Sequence, residues 1–271
     1  MSRVSDRLNR LSYSQTFVMS NKARDMKAAG IDVISLTLGE PDFDVPDNIK
    51  KAAFDAINEN YSHYSPVPGF LELRKAIVNK LKRDNNLDYK PTQICVANGA
   101  KQNIFNVLAA LVNEGDEVIL PAPYWVSYDE MVKINGGVSV FIETNIDTEF
   151  KMTAEQLEAA ITPKTKAVLY SSPCNPSGSY YTREELEKIA NVMAKYPDVV
   201  IISDEIYEFI NYDGEHVSIA EFPQVFNQTA VINGMSKAFA MTGWRIGYSA
   251  CPQWLADACD KLQGQVTSGA N

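Results

Sequence analysis

Short apolar runs rich in β-branched residues alternate with longer segments of helical periodicity along most of this sequence. A run of this length suits one buried strand, and the segment after it suits a helix that crosses back over a sheet. The alternation predicts an α/β protein with a mostly parallel sheet and helices on both of its faces. The predicted strands are 94–97, 117–120, 138–142, 167–170, 199–203, 230–233 and 246–250.

The predicted helices lie between these strands, and two of them precede the sheet. Two helix starts have the spacing of a capping box, in which a threonine is followed three residues later by Glu or Gln: Thr153 with Gln156, and Thr182 with Glu185. A boundary near Pro46 separates an N-terminal arm from the sheet domain. The predicted helices are 47–58, 69–83, 101–112, 125–135, 153–161 and 182–195.

Composition narrows the function classes. The 271 residues are 45% hydrophobic and 22% charged, with a net charge of −9, so a basic surface for nucleic acid is not expected. No apolar run reaches the length of a membrane span, and we expect a cytoplasmic protein without membrane partners. Four cysteines without a CxxC pair and only two histidines indicate neither a disulfide framework nor a metal site.

Several polar residues stand where an α/β sheet places its ligands. Asp204 follows the apolar run 199–203, so its carboxylate is expected at the carboxyl end of a buried strand. Gly99, Ala100 and Lys101 join a predicted strand to a predicted helix, and a helix N-terminus preceded by glycine can bind an anion. Lys237 follows another predicted strand, although a lysine there is by itself ordinary.

Five ordered motifs extend over essentially the whole chain: LGEPDF at 38–43, PAPYW at 121–125, PCNPSG at 173–178, SDEIY at 203–207 and SKAFAMTGWRIGY at 236–248. Together they resemble the motifs of class I aminotransferases, the aspartate aminotransferase family, and the segment around Lys237 resembles the cofactor-lysine motif of that family. The resemblance implies the large domain of the type I fold of pyridoxal-phosphate enzymes and the cofactor pyridoxal 5′-phosphate (PLP).

The resemblance assigns three catalytic residues. Lys237 would form the imine with PLP and act as a general base once its amine is released. Asp204 would hold the pyridine nitrogen protonated, so that the ring accepts electrons. Tyr207 would donate a hydrogen bond to the phenolic oxygen of the cofactor.

Further residues would hold the cofactor and the substrate. The phosphate would be bound by Gly99, Ala100, Lys101 and Arg245. Ser236 would supply a hydroxyl, because the family hydroxyl three residues before the lysine is replaced here by Gly234. Tyr64 would reach the phosphate of a neighbouring subunit, which implies a homodimer with shared active sites. Trp125 would stack on the ring and Asn175 would bind its phenolic oxygen. The substrate would contact Gly39, Trp125, Asn175, Lys101, Ser14 and Thr16.

The Lys101 arrangement resembles one that binds a side-chain carboxylate, which favours transamination between L-aspartate and 2-oxoglutarate. Three alternatives stay open: a PLP-binding protein without efficient turnover, a carbon–sulfur β-lyase, and an aromatic or prephenate aminotransferase. Family members continue into a C-terminal small domain with an arginine for the α-carboxylate. No residue here matches it, so we expect a C-terminally truncated member, with 1–45 as arm and part of the small domain and 46–271 as the large domain.

Overall fold

A computed structural model describes residues 3–271 and contains one seven-stranded sheet. The strands lie in the order β1-β7-β6-β5-β4-β2-β3, and β7 runs antiparallel to both of its neighbours. The other pairs are parallel, which confirms the mostly parallel sheet. The strands are β1 Ile94–Ala97, β2 Glu117–Ala122, β3 Val138–Glu143, β4 Thr165–Ser171, β5 Val200–Asp204, β6 Thr229–Gly234 and β7 Gly247–Ala250.

All seven predicted strands are present, with ends displaced by at most two residues. Alternate residues of a strand point to opposite faces, and both faces of this sheet are buried. In β4, Leu169 packs in one core cluster and its neighbour Val168 in another. Such strands read as continuous apolar runs because neither face meets water.

Helices cover both faces of the sheet, as predicted. The first core cluster includes Ile104 and Leu255, and the second includes Leu157 and Ile189. The helices are α1 Asp6–Asn9, α2 Gln15–Ala28, α3 Asp47–Asn58, α4 Leu71–Asn85, α5 Ala100–Leu111, α6 Ser127–Ile134, α7 Ala154–Ala160, α8 Arg183–Met193 and α9 Gln253–Val266.

Both predicted capping boxes form. The Thr153 hydroxyl accepts the Gln156 backbone N–H at 3.2 Å, and the Gln156 side chain accepts the Thr153 N–H at 2.9 Å. The same reciprocal pair joins Thr182 and Glu185. Each box satisfies two N–H groups that a helix N-terminus otherwise leaves without partners.

The segment before Pro46 contains α1 and α2, which the sequence did not predict. The apolar residues Phe17, Val18 and Met19 of α2 are consecutive rather than three or four apart, so they form no single stripe, and all three are exposed. Pro46 caps α3, where we predicted the boundary. The division into domains stays a prediction. Within residues 3–271, no helix combines the length and the apolarity that a membrane crossing requires.

Candidate active site

Asp204 is the last residue of β5 and is buried at the carboxyl edge of the parallel strands. Its Oδ2 accepts a hydrogen bond from the Tyr128 hydroxyl at 2.6 Å, and its Oδ1 accepts the Ile206 backbone N–H at 3.2 Å. Burial raises the pKa of Asp204 to about 6, although these two hydrogen bonds and the nearby Lys237 charge favour the ionised form. A carboxylate that ionises at such a cost in free energy favours a cationic partner.

Lys237 lies three residues beyond β6 and is half-buried. Its Nζ donates a hydrogen bond to the Gly39 carbonyl and lies 5.7 Å from the centroid of the Tyr207 ring. Burial lowers the pKa of Lys237, and the positive charge of Arg245 lowers it further. The negative charges of Glu40 and Asp204 oppose this lowering. The structure therefore brings Lys237, Gly39, Tyr207 and Asp204 together, as the sequence predicts.

Two cations converge on the N-terminus of α5. Gly99 precedes this helix with φ of 88° and ψ of 164°, a conformation that glycine alone adopts readily. A Cβ on Gly99 would overlap the guanidinium of Arg245. That guanidinium donates to the Thr242 carbonyl at 2.8 Å and to the Asn98 carbonyl at 3.2 Å.

The second cation of this corner is Lys101, in the first turn of α5. Burial lowers the pKa of Lys101, and the Arg245 charge lowers it further. A helix N-terminus with two neighbouring cations favours an anion, which would relieve their mutual repulsion. Gly99, Ala100, Lys101 and Arg245 are thus brought together in a form that fits a phosphate.

An aromatic wall stands beside these cations. The Lys101 Nζ lies 4.7 Å from the centroid of the Trp125 ring, and Tyr128 packs edge-on against Trp125 at 5.5 Å. On another side, burial and the Asp204 charge raise the pKa of the Tyr207 hydroxyl, while the Asn175 side chain lowers it. Trp125 thus joins the phosphate corner, and Asn175 joins Tyr207.

The structure gives a steric reason for the glycine three residues before Lys237. A Cβ on Gly234 would lie 2.8 Å from the Gly247 Cα, the residue paired with it across β6 and β7. A side chain there would force the backbones of β6 and β7 to shift, which disfavours a hydroxyl-bearing residue at this position. Ser236 is buried next to Lys237 and is the remaining candidate for that contact.

Three predicted residues are not brought to the site within residues 3–271. The Tyr64 side chain is 99% exposed. Ser14 precedes α2 without a side-chain cap hydrogen bond, and within residues 3–271 no hydrogen bond joins Ser14 or Thr16 to Lys101. The roles of Tyr64, Ser14 and Thr16 stay predictions.

Sequence reasoning missed two residues. Tyr128 contacts Asp204, although they are separated by 76 positions. It follows Trp125 by three residues, and its backbone N–H donates to the Trp125 carbonyl at 2.9 Å in the turn that leads into α6. Glu40 accepts a hydrogen bond from Thr242 at 3.3 Å, and its negative charge raises the pKa of Lys237 against the effect of burial. Its position next to Gly39 in the LGEPDF motif is the signal that could have found it.

A buried polar network lies behind Asp204. The His216 Nε2 lies 3.0 Å from Oε2 of Glu205, and the Ser218 hydroxyl donates to the other oxygen, Oε1, at 2.7 Å. Burial lowers the pKa of His216, but Glu205 outweighs it and raises that pKa overall. Oxygen and nitrogen atoms of Glu205, Glu208 and His216 lie within 4.8 Å of one another, and the Lys80 ammonium pairs with Glu208. The Lys80 ammonium thus offsets negative charge in the cluster of Glu205, Glu208 and His216.

The fold and the site together define an α/β protein with a half-buried lysine, a buried carboxylate and a pair of cations at the carboxyl edge of its parallel strands. The model of the family described as aminotransferase class I and II matches residues 31–271. The chain belongs to this family and is an aminotransferase, as the motifs indicate. Enzymes of this class use PLP as their electron sink.

Several similar proteins are named as related aminotransferases. A probable aspartate/prephenate aminotransferase of Rhizobium leguminosarum bv. phaseoli is 52% identical over 272 residues, covering 100% of this chain and 68% of the relative. The solved aspartate aminotransferase of Rhizobium meliloti superimposes with a TM-score of 0.96 at 43% identity, covering 100% of this chain and 68% of that one. That of Thermus thermophilus with maleate gives 0.97 at 41%, covering 100% and 70%. The chain thus spans 68% to 70% of these relatives.

Proposed function

We propose that this chain binds PLP through Lys237 and transfers the amino group of L-aspartate to 2-oxoglutarate. The observation that carries the proposal is the pair formed by a half-buried amine of lowered pKa, Lys237, and a buried carboxylate, Asp204, each of which acts on the pKa of the other. A lysine that is neutral more often than usual can act as nucleophile and base, and an ionised carboxylate can hold a proton on a ring nitrogen.

The residues around this pair fit the parts of PLP. The phosphate suits the corner of Gly99, Lys101 and Arg245, where a Cβ on the glycine would displace the guanidinium. The ring suits the space beside Trp125. The Asp204 carboxylate has one donor on each oxygen, which leaves lone pairs for a third donor such as a pyridinium N–H.

When bound, PLP supplies an aldehyde that condenses with amines and a ring that accepts an electron pair. Lys237 would hold the aldehyde end of the cofactor through Nζ, and its free amine would take the proton from the substrate Cα. Asp204 would hold the proton on the ring nitrogen, and Tyr207 and Asn175 would donate hydrogen bonds to the phenolic oxygen. General base catalysis of this kind contributes about 10²–10⁴-fold in rate.

The aspartate assignment rests on charge and on relatives. Lys101 is a cation beside the aromatic wall, suited to a side-chain carboxylate, and the Thermus thermophilus relative is described with maleate, a dicarboxylate. Relatives named aspartate/prephenate aminotransferase favour prephenate as a second amino acceptor. Ser14 and Thr16 would complete the carboxylate site.

We further propose a homodimer with shared active sites. The Tyr64 side chain is 99% exposed and is therefore accessible to a second copy of the chain. Its hydroxyl would reach the phosphate bound by the neighbouring subunit.

A titration with PLP tests the function. The unmodified chain and an exposed-lysine control, Lys164→Ala, should develop the visible band of lysine-bound PLP, and borohydride should fix the label on Lys237. Lys237→Ala should not. Addition of L-aspartate should then remove the band and release oxaloacetate, followed with malate dehydrogenase. A band that persists in Lys237→Ala refutes the cofactor assignment; a band that aspartate never changes supports the PLP-binding alternative without turnover.

A further inference from the structure

We propose that Tyr128 is a positioning residue of this site: its hydroxyl orients the Asp204 carboxylate and keeps it ionised, while its ring supports Trp125. The inference rests on the proposed function, because Asp204 is the residue assigned to the ring nitrogen of PLP. Tyr128 would not touch the reacting atoms. It would act through the two residues that do contact the cofactor.

The geometry of the contact carries the proposal. The Tyr128 hydroxyl donates to Oδ2 of Asp204 at 2.6 Å, a short bond typical of an ionised acceptor. Tyr128 is 1% exposed and Asp204 4% exposed, so water does not compete for the bond. The Ile206 backbone N–H holds the other oxygen. Two donors from separate elements, α6 and the turn after β5, therefore fix the plane of the carboxylate.

The charges around Asp204 explain why such a donor is needed. Burial and the neighbouring Glu205 favour the neutral acid, whereas Tyr128, the Ile206 N–H and Lys237 favour the carboxylate. Burial and the Asp204 charge raise the pKa of the Tyr128 hydroxyl well above its usual value. The phenol therefore keeps its proton and stays a donor at every pH at which the site works.

The ring of Tyr128 has a separate task. It meets Trp125 edge-on, with centroids 5.5 Å apart and planes at 89°, a favourable arrangement for aromatic pairs. The Tyr128 side chain thus links Asp204, the partner proposed for the PLP ring nitrogen, to Trp125, which would stack on the face of the PLP ring. Because the hydroxyl contacts Asp204 and the ring contacts Trp125, Tyr128→Phe removes the hydrogen bond and retains the aromatic packing.

The test uses the apo chain first. With ¹³C-labelled aspartate, the Asp204 carboxyl, assigned by its loss in Asp204→Asn, is titrated by NMR. Tyr128→Phe should raise its pKa by about one unit or more. Tyr181→Phe is the matched control, since Tyr181 is also a buried tyrosine whose hydroxyl is hydrogen-bonded, but to the Met152 N–H. An Asp204 titration identical in both variants overturns the proposal.

A second measurement needs no substitution at Tyr128. With ¹³Cζ-labelled tyrosine in the unmodified chain, one tyrosine resonance should titrate together with Asp204 and stop titrating in Asp204→Asn. If no tyrosine resonance titrates together with Asp204, the proposal is overturned, even where the Tyr128→Phe variant does not fold.

The cofactor arm then separates the two hypotheses. Tyr128→Phe should bind PLP about tenfold more weakly than Tyr181→Phe, the loss that one unit of pKa corresponds to. Equal affinities overturn the role of Tyr128 toward the cofactor. If the unmodified chain binds no PLP at all, the proposed function fails, and the apo titrations still decide whether Tyr128 controls Asp204.

Discussion

The side-chain amine of Lys237 donates a hydrogen bond to the backbone carbonyl of Gly39, a residue 198 positions earlier in the chain. This contact brings the amine beside Glu40, whose charge favours the ammonium form and opposes the lowering of the Lys237 pKa by burial. The N-terminal arm therefore takes part in setting the reactivity of the lysine. The chemistry of Lys237 depends on a segment outside the sheet.

Glu40→Gln should lower the pKa of Lys237 further, because a negative charge that favours the ammonium is removed. In the apo chain, acetylation of Lys237 by acetic anhydride should then begin at lower pH, as followed by peptide mass spectrometry. Asp42→Asn is the control, a carboxylate of the same motif that does not act on the Lys237 pKa. A Lys237 labelling profile that is the same in both variants contradicts the role of Glu40.

Asp204→Asn should stabilise the apo chain at neutral pH. Well below pH 3.8 the carboxyl is protonated in the folded and the unfolded chain alike. Between the ordinary pKa of 3.8 and about 6 the unfolded chain ionises first, so stability falls as the pH rises, and above 6 the full cost is present. At about 1.4 kcal/mol per unit the gain is at most about 3 kcal/mol.

Urea unfolding at pH 4 and pH 7.5 measures this difference. Asp198→Asn, on an exposed residue before β5, is the control and should change stability little at either pH. If Asp204→Asn gives the same change in stability at both values, burial does not control this carboxyl. A residue that costs stability in the apo chain is typical of a binding site, and PLP should reverse the sign of the effect.

Gly99→Ala should weaken PLP binding by at least about tenfold, since the new Cβ would displace the Arg245 guanidinium, and one charged hydrogen bond contributes about 1.5–3 kcal/mol. Gly115→Ala is the control, because Gly115 also has a positive φ, 85°, but a Cβ there meets nothing within 4 Å. Both variants should lose stability through backbone strain. Equal PLP affinity in the two variants would remove Gly99 and Arg245 from the phosphate site.

The sequence predicted the sheet well because most of its strands, all but the edge strand β3, are buried on both faces. Val168 and Leu169 must both be apolar, although they enter different core clusters, and such runs are visible without a structure. Helix α2 was missed because its exposed apolar residues follow no helical period. Most of the candidate site came from local motifs, among them the glycine before α5 and the lysine after β6.

The contacts that sequence reasoning missed are those that depend on tertiary packing. Tyr128 and Asp204 lie on different elements, and nothing in either motif states that their oxygens are 2.6 Å apart. The same holds for Glu40 and Thr242, which meet across 202 positions. Alternation and motifs fix which residues stand at the sheet edge, whereas the pKa of each group depends on which neighbours the packing supplies.

Lys101→Met should separate the two roles proposed for this lysine. If the ammonium binds a substrate carboxylate, KM for L-aspartate should rise about 10- to 100-fold, whereas KM for L-phenylalanine and the affinity for PLP should change little. Met retains much of the packing of the lysine stem against Trp125. If PLP affinity falls and both substrates suffer alike, Lys101 serves the phosphate, and the preference for aspartate has another origin.

Mixing two inactive variants tests the shared active sites. If Tyr64 of one subunit completes the site that contains Lys237 of the other, a hybrid of Tyr64→Ala and Lys237→Ala chains places both lesions in one site and leaves the second site intact. Aminotransferase activity should therefore reappear when the two variants are unfolded together and refolded, with a mixture of Lys237→Ala and unmodified chains as the reference. Tyr212 is similarly exposed, at 91%, and Tyr212→Ala is the control, which should retain activity on its own. If the hybrid stays as inactive as its parents, Tyr64 does not act across a subunit interface.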